Sequence, residues 1–146
     1  MRNQEVASAY GEALILGAVE LDEIVSWADS RVLADKDPSR PLLDLSFSKS
    51  KGEALSALYE LSFGANEERS FKILLGLIIK GLEAGSLSYR DAAKRLFLWN
   101  AFDPSTNRHE KLSFYWDALK FAEGRYQGEA KQLKREMLEF LRERQA

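Results

Sequence analysis

Residues 70–85, S-F-K-I-L-L-G-L-I-I-K-G-L-E-A-G, decide most of what this chain can fold into. Phe71, Leu74, Leu75, Ile78, Ile79 and Leu82 recur at the spacing of one α-helical face, and Ile73 and Leu77 widen that face. Only Lys72, Gly76, Lys80 and Glu83 are left as a narrow polar edge. A helix this apolar needs neighbours on most sides, so the stretch predicts the central helix of a bundle. It is too short, and too interrupted by lysine and glycine, to span a bilayer.

The remaining periodicity agrees. Helices are predicted over 3–16 (Val6, Ala9, Tyr10, Ala13 and Leu14 inward) and over 21–33 (Leu21, Ile24, Val25, Ala28 and Val32 inward). Gly17 stands where a left-handed helix end is expected. Ser50 and Glu53 form a capping box before Ala54, Leu55, Leu58 and Leu61, with Gly64 as the stop. Asn66 is a fitting N-cap for the central helix, and Ser88 to Asp91 make an approximate box for the next, which turns Ala92, Ala93, Leu96 and Phe97 inward. Two more helices follow, one built on Leu112, Tyr115, Leu119 and Ala122, the other on Ala130, Leu133, Met137, Leu138 and Leu141. The segment 34–50, with Pro38 and Pro41, is the longest break, and a single turn there carries Leu42, Leu43 and Leu45 into the core. A second loop is expected over 100–107. No strand-like alternation occurs. The expectation is all-α, one domain over 1–146, a bundle of about six to seven antiparallel helices.

Residues 17–25 and 85–93 match in type at most positions: glycine, an apolar residue before the cap, an acid in the first turn, then paired apolar residues. A duplicated helical hairpin would produce this, and so would the common demands of any tight helical corner.

At 146 residues the chain has enough length for a substantial core, and 45% hydrophobic with 30% charged residues is ordinary for a globular protein and argues against disorder. It has no cysteine and one histidine, His109, in a polar stretch. That removes disulfides and thiolate metal sites, and leaves zinc or His-dependent nucleophile chemistry almost nothing to work with. No phosphate-binding glycine loop is present. Neither an enzyme, a metal nor a cofactor is expected. The last helix carries Lys131, Lys134, Arg135, Arg142 and Arg144, but Glu129, Glu136, Glu139 and Glu143 are interleaved, the pattern of a salt-laced solvated helix rather than a phosphate track. Glu5 interrupts the N-terminal region where a secretory signal would be purely apolar, so a cytoplasmic location is expected.

Net charge is uneven. Residues 1–64 carry 6 Lys/Arg against 11 Asp/Glu, and residues 65–146 carry 15 against 12. Either the surface is simply solvated and unevenly charged, or the early half steers a basic partner. The acids concentrate at Glu20, Asp22, Glu23, Asp29, Asp35 and Asp37, beside Trp27.

Residues 17–29, G-A-V-E-L-D-E-I-V-S-W-A-D, are followed by a Pro-containing loop and L-L-D-L-S at 42–46. With F-Y-W-D-A-L at 114–119 and F-A-E-G at 121–124, this resembles a family of small, uncharacterised all-helical bacterial proteins. Its members are similar in kind to immunity proteins of polymorphic toxin systems. The resemblance implies a cytoplasmic protein-binding module that masks a cognate toxin domain, without nucleic acid or membrane as partner. Glu20 departs from the Ser, Thr or Asp favoured at such a cap. Because toxins that act on nucleic acid present basic clefts, the expected binding residues are Glu20, Asp22, Glu23, Trp27, Asp29, Asp35 and Asp37. A regulatory or structural helical adaptor is the alternative.

Overall fold

A computed structural model describes residues 2–100, 108–123 and 125–145. Among them the chain is all-α, with eight helices and no strand: α1 (Asn3–Leu16), α2 (Leu21–Ala34), α3 (Arg40–Ser46), α4 (Lys51–Leu61), α5 (Glu67–Ala84), α6 (Tyr89–Asn100), α7 (Arg108–Ala122) and α8 (Gln127–Gln145). The contacts fall into two units, residues 1–77 and 78–146, divided within α5. The second loop was expected over 100–107; Asn100 belongs to α6, and residues 101–107, Gly124, and the side chains of Trp99, His109 and Leu112 lie outside the described residues.

The count of six to seven helices was low by α3. A single turn was expected there on account of the prolines, and seven helical residues are found. Pro41 lies in the first turn of α3, where a missing N–H deprives no helical carbonyl and the fixed φ suits the helix. Leu42 and Leu45 are buried, as the sequence leads one to expect, while Leu43 is only half-buried. The interruption is reduced to residues 35–39 before α3 and 47–50 after it.

The α5 stripe is buried throughout: Phe71, Leu74, Leu75, Ile78, Ile79 and Leu82 are all core residues, and Ile73 and Leu77 are half-buried. The helix starts cleanly because Asn66 Oδ1 accepts the Arg69 N–H at 2.9 Å. At α4, Ser50 Oγ accepts from Glu53 N–H at 3.2 Å, and the Glu53 carboxylate reaches back to the Lys49 N–H at 2.7 Å, one residue before the cap. The first bond satisfies an amide that the helix leaves without a carbonyl, and the second fixes the chain just ahead of the cap.

The two matched corners are built alike. Gly17 has φ 90 and Ala18 N–H bonds Ala13 O at 2.8 Å; Gly85 has φ 75 and Ser86 N–H bonds Gly81 O at 3.0 Å. These are left-handed helix ends that only glycine adopts without strain. Two residues on, Val19 and Leu87 are buried, and then the next helix is capped. The caps differ. Ser88 Oγ accepts from Asp91 N–H at 3.0 Å, whereas Glu20 makes no side-chain cap bond.

In the first unit α4 packs against both α1 and α3, and α2 packs against α3. α1 departs from expectation, since it buries Glu5, Ala7, Ala9, Ala13 and Leu14, and leaves Val6 and Tyr10 half-buried. A helix with alanine on several faces has little amphipathic signal to orient it. Glu5 is 2% exposed and is held by Arg2 Nε at 2.9 Å, while Arg2 Nη2 donates to Gly64 O at 3.2 Å. The start of α1 is thereby tied to the end of the α4 turn.

Arg2 is the main cause that holds the Glu5 carboxyl below its ordinary value of 4.5, and burial opposes it. A carboxyl depressed in the folded state adds stability above its unfolded pKa, and that contribution is lost as pH falls through the lower folded value. Glu5→Gln is therefore expected to be less stable than the parent at pH 7, with the gap closing below about pH 4. Urea midpoints at the two pH values check this. An equal gap at both would mean that shape, not charge, is what Glu5 supplies.

In the second unit α7 packs against α6 and α8. Glu123 joins them, facing Arg90 of α6 at 3.5 Å and Lys134 of α8 at 3.9 Å. Arg142 of α8 pairs with Glu83. Two of the bases on α8, Lys134 and Arg142, are thus engaged by acids of the same unit that lie outside α8.

Candidate functional site

Seven residues were expected to form a binding face, and the structure divides them. Asp22 and Glu23 occupy the exposed first turn of α2, with Glu20 at its cap. Ile24 and Ala28 are buried on the opposite side. Along the outer face Asp22, Ser26, Asp29 and Leu33 recur at i, i+4, i+7 and i+11, and Leu33 is 88% exposed. Trp27 lies on the flank of this face, half-buried, with its ring edge-to-face against Tyr10 at 5.5 Å. Arg31, on the same flank, donates to Asn3 Oδ1 at 2.9 Å instead of pairing with an acid.

Two of the other acids, Asp29 and Asp35, have work within the chain. Asp29 accepts from the Ser46 hydroxyl and so links α2 to α3. Asp35 Oδ1 accepts the Asp37 N–H at 3.0 Å, which closes the turn before α3. Among the described residues, Glu20, Asp22, Glu23 and Asp37 take part in no ion pair. Their charge is felt next door: the Tyr10 hydroxyl is pushed above its ordinary value of 10.0, first by burial and then by Glu23. The compact part of the expected face is therefore Glu20, Asp22 and Glu23, with Trp27 at its edge.

Sequence reasoning missed a second surface. Phe47 (76% exposed), Tyr59 (70%) and Phe63 (67%) surround the outer side of α4, and Tyr59 and Phe63 meet edge-to-face at 5.4 Å. A shallow groove of about 350 Å³ between α1 and α4 has Ala7, Ser8 and Gly11 as its floor and Ile15, Leu55 and Tyr59 as walls. A wider one, about 520 Å³, runs between α3 and α4 past Phe47, Gly52 and Ser56. A signal for these residues was available: Leu-Ser-Phe occurs at 45–47, 61–63 and 112–114, and in each the phenylalanine is exposed.

Among the described residues no group of three or more His, Cys, Asp or Glu is arranged to hold a metal ion, and no helix is long and apolar enough to cross a membrane. Comparison with protein-family models, with curated proteins and with solved structures returns no match. The resemblance to immunity proteins thus rests on the quoted residues alone.

Proposed function

We propose that the chain is a cytoplasmic protein-binding module that acts by masking, in the manner of an immunity protein that covers a toxin domain. The observation that carries this reading is the set of Glu20, Asp22 and Glu23, acids without a basic partner, beside Trp27 and on the same helix as an almost fully exposed leucine. Uncompensated charge steers an oppositely charged partner, and an adjoining aromatic supplies contact area once the partner has arrived. A rigid helix presents both with little ordering cost on binding. No step of bond making is assigned to any residue.

An adaptor is the second reading. It draws on the exposed aromatics around α4, which provide a second place to bind.

The test is co-expression with the product of the gene immediately upstream of its own. Masking predicts that a growth-inhibiting product is neutralised, that the two proteins purify together, and that neutralisation ends at equimolar amounts. Protection at far below equimolar amounts would point to an enzyme, and an innocuous neighbour would favour the adaptor.

A further inference from the structure

We propose that the outer face of α4, with the grooves on either side of it, docks an amphipathic helix whose apolar stripe is flanked by lysine and arginine. This goes beyond the acidic face of α2 and stands or falls separately from it.

Three observations meet at this face. The first is shape. α4 has 11 residues, about 16 Å or three turns, and a groove runs along each side of it, where it meets α1 and where it meets α3. A helix laid along such a surface contacts it every third or fourth residue. The second is apolar area: Ile15, Phe47, Tyr59 and Phe63 are exposed here together, where isolated exposure would need no explanation.

The third is the floor. Gly11 lies in the middle of α1, and a Cβ added there would meet nothing within 4 Å; the same holds for Gly52 at the start of α4. Glycine inside a helix is unfavourable relative to alanine because it surrenders more backbone freedom on folding. At Gly11 it leaves the groove open to an incoming molecule.

Charge selects the occupant. The charged side chains that line the groove between α3 and α4 are Asp44, Glu53 and Glu60, all acidic, and Glu12, itself engaged within the chain, is the charged residue of the other groove. Arg40 faces Asp44 at 3.1 Å, but this is an exposed pair one helical turn apart, which neutralises little. Residues 1–77 as a whole carry 8 Lys/Arg against 13 Asp/Glu. A second copy docked face to face would set Glu53 and Glu60 against their own kind, and nucleic acid or an anionic lipid surface would be repelled in the same way. A basic amphipathic helix matches both the apolar stripe and the rim.

The probe is a fluorescent peptide of about 18 residues, five helical turns, with leucine on one face and lysine on the other, compared with a leucine/glutamate peptide of identical apolar face. Anisotropy gives the affinity for the full chain, and amide shifts of labelled protein give the location. The lysine peptide is expected to bind at least about tenfold more tightly than its counterpart and to shift residues around Ile15, Tyr59 and Phe63. Phe63→Ser, a change at an exposed position, and Gly11→Leu, which fills the groove floor, should each weaken binding roughly tenfold or more. Reversing Asp22 and Glu23 should leave it within about twofold. Equal affinity for both peptides, shifts confined to α2, or Phe63→Ser without effect overturns the proposal. So does self-association that the peptide displaces, which would assign the face to a second copy.

Discussion

Leu75→Ala and Ile78→Ala are each expected to lower the unfolding free energy by about 2–5 kcal/mol. Both side chains are fully buried in α5, so shortening either removes apolar contact and leaves a cavity that rigid neighbours fill only in part. Leu75 belongs to the first contact unit and Ile78 to the second, so the two variants probe both packing environments of one helix. The loss is a large share of the roughly 5–15 kcal/mol that holds a domain together, and should lower the melting temperature by on the order of 10 °C. Lys72→Ala, on the exposed edge of the same helix, is the control and should stay within about 0.5 kcal/mol. Urea titration followed by far-ultraviolet circular dichroism gives all three values. A loss below about 1 kcal/mol at both core sites would mean that α5 is not enclosed as its stripe requires.

How far the fold can be read from the chain depends on how strongly each stretch separates its faces. In α5 six apolar residues recur on one stripe, and all six are buried. The chain's punctuation is equally legible, because Ser50, Asn66 and Ser88 cap helices through their own side chains, and Gly17, Gly64 and Gly85 take the left-handed conformation. α1 is harder. Its alanines pack on any side, and the residue that fixes its start is a buried glutamate, which no hydrophobic pattern can announce. α3 was hidden by its prolines, whose effect depends on whether they stand in a first turn or an interior one. Of the expected site, Asp29 and Asp35 turned out to be engaged in holding α2 to α3 and in closing a turn. Composition counts an acid without saying whether a hydroxyl or an amide already faces it. Phe47, Tyr59 and Phe63 escaped for the converse reason: an apolar residue reads as core until its neighbours are known.

Reversal of Asp22 and Glu23 to lysine is expected to slow association with a basic partner by about 10- to 100-fold at low ionic strength, and to flatten the salt dependence that remains. The effect should lie mainly in the on-rate, because exposed charges at the edge of a contact act on encounter more than on residence. The change also places two positive charges in the first turn of α2, where the helix dipole favours negative ones, at a cost of about 0.3–1 kcal/mol each. A slightly lower melting point is therefore part of the expected result, and helical content should be unchanged. Tyr10 provides an internal check. Burial and the Glu23 charge together raise its pKa, so its absorbance titration should move down in the variant and report that the reversal has reached the Tyr10–Trp27 pair. Stopped-flow mixing with the partner at two salt concentrations measures the rest. If the on-rate is unchanged while Tyr10 has shifted, the acids of α2 do not guide binding. The partner's surface must then be sought on residues 78–146, where 13 Lys/Arg stand against 10 Asp/Glu and the steering would have the opposite sign.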